Sequence, residues 1–238
     1  MRTMTRFGAV LLLAVVFATA GASRAEASFI AYICNDPLCQ GSGDFTVADG
    51  SGSDLDTSSG LILSNVSTGG LSILVTTAVS KPATGSTLDP QMHLSFVASG
   101  VGSAWLYVVD TDYLFGGTLN GLYGGVNGTN SSVQYGVFYS ASNSSTLPLD
   151  LSKGTKSPVL PSTNYSGSML LGLTNPPPYS LTLMAAITRG AGATGTSSGD
   201  LDITAVVPEP TTMALLGLGL VAIGAGARRR LRRNRTAP

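Results

Sequence analysis

Cys34 and Cys39 are the only cysteines in the 238 residues, separated by Asn35-Asp36-Pro37-Leu38. A close pair in an oxidising compartment forms a disulfide. A redox-active pair usually has two intervening residues, and a metal site would need partner ligands that a chain with one histidine does not supply. The spacing therefore predicts a small disulfide loop that pins the first strand to the adjoining loop, with modest stabilisation.

His93 is the single histidine and sits opposite Met92, Leu94 and Phe96 on a strand-like run. A Ser-His-Asp triad would have to use it, yet no Gly-x-Ser-x-Gly elbow lies nearby. The pattern predicts an ordinary strand histidine. Lys81, Lys153 and Lys156 are the available partners for a Ser-Lys dyad, and nothing in their spacing suggests one.

Asp-x-Asp occurs at Asp54/Asp56, Asp110/Asp112 and Asp200/Asp202. Residues two apart share one face of a strand. Asp200 and Asp202, alternating with Leu201 and Ile203, predict a solvated face. Asp110 and Asp112 predict a strand end capping a turn. Asp49, Asp54 and Asp56, with Ser51 and Ser53 in a Gly-rich segment, gather the oxygens that hard cations such as Ca2+ take. Their spacing is not that of the twelve-residue EF-hand loop. A solvated acidic loop is the plainer alternative, so no cofactor is expected, with Ca2+ as the one candidate.

Gly217-x-Gly219-x-x-Ala222 imitates a dinucleotide fingerprint but has no strand before it. The glycines from Gly116 to Gly128 lack the Lys-Ser/Thr of a phosphate loop and predict a turn-rich connection. Asn65, Asn127, Asn130, Asn143 and Asn164 each open an Asn-x-Ser/Thr triplet, a number that Ser/Asn-rich composition alone produces.

The elements that must position these residues read as strands. Leu71, Ile73, Val75, Thr77 and Val79 alternate, as do Met92, Leu94 and Phe96, then Val133, Tyr135, Val137 and Tyr139, then Tyr179 to Ile187, then Leu201 to Val207. Trp105, Tyr107 and Val109 share one face, with Leu106 and Val108 on the other, which predicts a central strand. Shorter candidates are Phe29 to Cys34, Leu61 to Val66 and Met169 to Leu173. Gly, Ser, Asn and Pro clusters separate them, and no amphipathic helix appears between residues 28 and 206. Many short strands in series predict an all-β fold, an antiparallel β-sandwich of jelly-roll-like kind.

The formal net charge of zero conceals segregation. Between Ser28 and Val207 eleven aspartates face four bases (Lys81, Lys153, Lys156 and Arg189), a net of −7. An acidic middle argues against nucleic acid, which needs basic surface. The bases lie at the ends. Arg2 and Arg6 precede an apolar run from Phe7 to about Ala20, and small residues lead to Ala25-Glu26-Ala27. This is the layout of a secretory signal peptide, residues 1–27, cut after Ala27 by signal peptidase following passage through the Sec translocon.

At the other end Thr211 to Ala227 carries no charge. As a helix its 17 residues span roughly 25 Å, close to the hydrocarbon core of about 30 Å. Arg228, Arg229, Arg230, Arg232, Arg233 and Arg235 follow directly. Arginine can snorkel to the interface, and positive charge stays cytoplasmic, so residues 28–206 face outward. Pro208 and Pro210 keep Val207 and Glu209 extended just ahead of that run, the conformation a protease binds.

Pro208-Glu209-Pro210, the apolar segment 211–227 and the arginine cluster 228–235 together resemble the PEP-CTERM sorting signal. The resemblance covers about 30 residues and rests on all three parts at once. It implies retention in the inner membrane, removal of the tail near Pro208-Glu209-Pro210 by the membrane protease exosortase, and delivery to the cell surface or extracellular matrix. It also implies an association with exopolysaccharide and biofilm. Residues 28–206 are then an extracellular β-sandwich with a structural, non-catalytic role. The first alternative is a carbohydrate- or Ca2+-binding adhesion module, with Trp105 and Tyr113 expected as exposed aromatics. The second is a secreted hydrolase, disfavoured by the scarcity of His, Glu and Lys.

Overall fold

A computed structural model describes residues 28–161, 163–174 and 178–206. The signal peptide, Pro208-Glu209-Pro210, the apolar run 211–227 and the arginine cluster lie outside the described residues. Among the described residues no helix is long and apolar enough to cross a membrane.

The strands are β1 (Ile30–Cys34), β2 (Phe45–Ala48), β3 (Leu61–Thr68), β4 (Leu71–Val79), β5 (Gln91–Gly100), β6 (Gly102–Tyr113), β7 (Thr118–Val126), β8 (Ser131–Ser140), β9 (Gly154–Lys156), β10 (Asn164–Gly172), β11 (Tyr179–Arg189) and β12 (Ser197–Val206). They form two six-stranded sheets. The first has the order β2-β1-β6-β11-β8-β9 and the second β10-β7-β12-β5-β4-β3. The strand ladders within both sheets are antiparallel. From β5 onward the long strands alternate between the sheets, so successive connections cross from one layer to the other in jelly-roll fashion.

Alternation builds the core. Met92, Leu94 and Phe96 of β5 and Leu201 and Ile203 of β12 point inward from the second sheet. Leu106 and Val108 of β6, Val133, Tyr135 and Val137 of β8, and Leu181, Leu183, Ala185 and Ile187 of β11 meet them from the first. β6 lies between β1 and β11, so it is an interior strand buried on both faces.

Three expectations change. In β4 the register to β5 slips between Val75 and Thr77. Ala78, rather than Thr77 or Val79, is therefore the next fully buried residue, because a bulge inserts one residue and reverses the alternation. The glycine-rich segment after Gly116 is not merely a connection: Thr118–Val126 is β7, paired with both β10 and β12. Its glycine has a packing role, since a Cβ at Gly121 would lie 2.9 Å from Met169 Cγ. Tyr113 is not exposed but wholly buried, stacked on Tyr179 with ring centroids 6.1 Å apart.

The outer faces differ. Over the first sheet Tyr32, Tyr107, Val109, Phe138 and Met184 form a second apolar cluster with Cys34 and Cys39, and Trp105, Leu149 and Leu151 pack against it. Tyr32 donates to Ser145 O at 2.7 Å and Tyr107 to Pro37 O at 2.8 Å, tying two loops down onto the sheet. The outer face of the second sheet carries His93, Asp200, Asp202, Leu122 and Leu170 at intermediate or full exposure.

Candidate functional site

Cys34 and Cys39 are joined in a disulfide with Cα atoms 5.1 Å apart, as the spacing predicts. The loop between them bends through Asp36, whose Oδ1 and Oδ2 accept from Leu38 N and Gln40 N. A shallow apolar pocket lies beside it, lined by Pro37, Cys39, Tyr107, Leu147, Leu149 and Leu151.

The Asp49–Asp56 loop is ordered by its own backbone. Asp54 accepts from Gly50 N through Oδ2, and from Asp56 N and Leu63 N through Oδ1, at 3.0–3.1 Å. Asp56 accepts from Ser58 N, and Asp49 Oδ2 from Gly60 N at 2.8 Å. Side-chain-to-amide bonds of this kind fix turns. Within this loop Asp49 Oδ1 is buried without a hydrogen-bond partner, as Asn127 Oδ1 is elsewhere in the sandwich. Among the described residues no group of three or more His, Cys, Asp or Glu side chains is placed to hold a metal, so the structure does not gather Asp49, Asp54 and Asp56 into a cation cage.

His93 and Asp202 meet on the open face of the second sheet, with Nδ1 2.6 Å from Oδ1 and both side chains partly in solvent. Cross-strand register puts Asp202 opposite His93 on one side and Leu122 on the other, and Leu122 opposite Ser168. Thr76 donates to Ser95 at 2.9 Å on the same face. The result is a broad, polar, uncovered surface with exposed Leu122 and Leu170 towards the β10 edge.

Two further polar groups are internal. Arg189, at the end of β11, is 2% exposed. Its Nε donates to Gly100 O, Nη1 to the hydroxyls of Ser131 and Ser197, and Nη2 to Gly195 O. One guanidinium thereby holds three chain segments, using the planar fork that lysine lacks.

The other group lies between the sheets at the end from which Val206 leaves. Asp110 does not cap a turn: it is fully buried and paired with Lys81 at 2.8 Å. Its Oδ2 also accepts from Ser80 Oγ at 2.5 Å and Tyr113 Oη at 3.1 Å, and its Oδ1 from Thr111 N at 2.7 Å. Lys81 Nζ donates to Thr111 O as well and stands 4.2 Å from the Tyr113 ring centroid. Burial, and then the Asp110 charge, push the Tyr113 phenol far above its ordinary range, which keeps it a proton donor. Neighbouring Asp112 exchanges two hydrogen bonds with Asn143. The missed signal was a charge continuing an apolar run: Asp110 comes directly after Trp105–Val109, and such a charge needs a buried partner.

Among the described residues three of the Asn-x-Ser/Thr asparagines use their amide nitrogen internally. Asn127 donates to Leu160 O and Pro161 O, Asn130 to Ala191 O and Asn143 to Asp112. Asn65 and Asn164 are exposed.

These features define a class: a disulfide-clasped antiparallel β-sandwich with one bare sheet face and a hydrophobic tail after its last strand. The tail identifies the route. Residues 206–230 match the PEP-CTERM protein-sorting motif, which supports an exported precursor heading to the cell surface. No curated protein matches the chain. Among solved structures it is similar to TmCBM61 in complex with β-1,4-galactotriose, at 10% identity over 53% of this chain and 84% of that one, with a TM-score of 0.29. It is also similar to a carbohydrate-binding module of the β-sandwich superfamily, at 13% identity over 73% and 71%, with a TM-score of 0.33. A third is the enzymatically active domain of bacteriophage CBA120 tailspike protein 4, at 15% identity over 63% and 19%, with a TM-score of 0.31. The fold assignment rests on the chain's own strand pairing, to which these likenesses add nothing.

Proposed function

We propose that this protein is a non-catalytic structural component of the cell surface or extracellular matrix, associated with exopolysaccharide. It passes the Sec translocon, is held in the inner membrane by residues 211–227, and is released when exosortase cuts near Pro208-Glu209-Pro210. The observation that carries this reading is the sorting motif at residues 206–230, which begins at the last residue of β12. The reading is also supported by how the polar side chains are used: Lys81, Asp110 and Arg189 are engaged inside the sandwich and Asp54 within its own loop. Removal of the tail takes six arginines with it and leaves an acidic domain. The test is mass spectrometry of the mature protein from its own host. A C-terminus near Pro208–Pro210 is expected, and an intact arginine-rich end would sink the processing step.

A second reading, a polysaccharide-binding adhesion module, is favoured by one observation. The first sheet's outer face is covered by loops, whereas the second's presents His93, Asp200, Asp202 and Thr204 to solvent or nearly so. Affinity electrophoresis in the host's own exopolysaccharide separates the readings: retardation that His93→Ala abolishes supports the module, and unretarded migration favours the structural role. A rise in Tm with Ca2+ that Asp49→Asn abolishes would add the cation to this second reading.

A further inference from the structure

The Lys81–Asp110 pair is placed at the junction of the two layers. Ser80 and Lys81 come directly after β4 in the second sheet, and Asp110 lies within β6 in the first. Ser80, Asp110 and Tyr113 are fully buried and Lys81 is 7% exposed. An ammonium and a carboxylate in such a setting give up their hydration, a loss that hydrophobic side chains of similar volume would avoid. The surrounding groups do more than neutralise charge. Oδ1 is held by one backbone N–H, while Oδ2 collects the lysine and two hydroxyls. The two oxygens of one carboxyl are thus treated differently.

We propose that Lys81 and Asp110 condense into an intramolecular isopeptide bond that staples the two sheets together. A proton first passes from Nζ to Oδ2 across the 2.8 Å contact, leaving an amine with a free lone pair beside a carboxylic acid. Nζ then attacks the Asp110 side-chain carbonyl carbon. The N–C bond forms, and the negative charge developing on Oδ1 falls on the Thr111 N–H already 2.7 Å away, as a preorganised donor should be placed. A second proton passes from Nζ to Oδ2, the two atoms already being 2.8 Å apart, while the Ser80 and Tyr113 hydroxyls hydrogen-bond the same oxygen. The C–Oδ2 bond breaks and Oδ2 departs as water.

Of the three ammonium protons, two leave in that water and one remains on the amide. The remaining N–H keeps the bond to Thr111 O that the ammonium makes. Oδ1 becomes the amide oxygen and keeps its own donor. No oxidant, metal or activating nucleotide enters the balance. The driving advantage is proximity: two groups held in contact by a rigid scaffold react as if at very high concentration. Among the described residues no second carboxylate hydrogen-bonds this pair, and both proton transfers run along the direct Nζ–Oδ2 contact.

The experiment is peptide mapping of the full-length wild-type chain by tandem mass spectrometry after complete denaturation and digestion. The expected result is a branched species joining the Lys81 and Asp110 peptides, one water lighter than their sum and predominating over the separate peptides. Recovery of both peptides unlinked and at full mass would overturn the proposal and leave a plain ion pair. The Lys81→Arg chain, whose guanidinium keeps the charge, should yield only the separate peptides; a branched species persisting there would place the bond elsewhere and also overturn it. Tail processing alters only C-terminal peptides, so the sorting reading and this one fail separately.

Discussion

Arg189 Nη1 lies 2.9 Å from Ser197 Oγ, and the same guanidinium donates to Gly100 O and Gly195 O. One buried side chain on β11 thereby fixes the turn after β5 and the loop into β12. Replacing Arg189 with Met strands those carbonyls in a dry site, and stability should fall by about 3 kcal/mol. Arg189→Lys keeps the charge but not the fork and should recover only part of the loss. Urea unfolding midpoints of the three proteins check this.

His93 and Asp202 offer the contrast. The pair is short, yet the side chains are 29% and 52% exposed. Exposed pairs contribute at most about 1 kcal/mol and weaken as salt rises. Asp202→Asn should therefore move Tm only slightly, and by less at high salt than at low. A large loss at both salt concentrations would contradict the assignment of this face as solvated.

The disulfide closes a loop of sequence separation 5. Its removal should cost about 2 kcal/mol by loop-closure entropy. The loss should include weakened cover over Tyr107, because Pro37 inside the loop accepts the Tyr107 hydroxyl. Thermal melts of the Cys34→Ala, Cys39→Ala double variant measure the first effect, and fluorescence quenching of the nearby Trp105 reads the second.

Alkaline pH should unfold the domain. Burial, and secondarily the Asp36 charge, push the Tyr107 phenol up to about 12 from its ordinary 10.0. Burial raises Tyr135 and Tyr179 as well. A raised folded-state pKa means that the unfolded chain releases its proton first. The stability these groups confer is complete below pH 10 and is lost as pH climbs through the folded values. Urea midpoints should stay level with respect to these tyrosines up to about pH 10 and decline above it, while tyrosinate absorbance appears late and together with unfolding. Smooth titration of all tyrosines near pH 10 with no loss of structure would refute it.

Much of the scaffold was legible in the chain. The alternation of Met92, Leu94 and Phe96, and of Tyr179 through Ile187, assigned their inward faces, because a strand's side-chain period is two whatever lies around it. The Cys34/Cys39 spacing predicted its bond, since closure over so short a loop is a local matter. The sorting motif was legible for the same reason: Pro208-Glu209-Pro210, an uncharged run and the arginines after it form a linear pattern that needs no partner distant in sequence.

What the sequence by itself determined was therefore local: periodicity, turn chemistry, the short disulfide and the sorting tail. Tertiary structure decided everything that depends on partners distant in sequence. It turned Tyr113 inward, slipped β4 by one residue at Thr76, made a strand of the glycine-rich segment 118–126, and spent the Asp54 oxygens on backbone amides. It also brought Lys81 to Asp110 across 29 residues and from one sheet to the other. The physical reason is that burial and pairing are properties of the packed layers. A charged side chain in an apolar run shows that a partner must exist, and only the folded sandwich shows which residue it is.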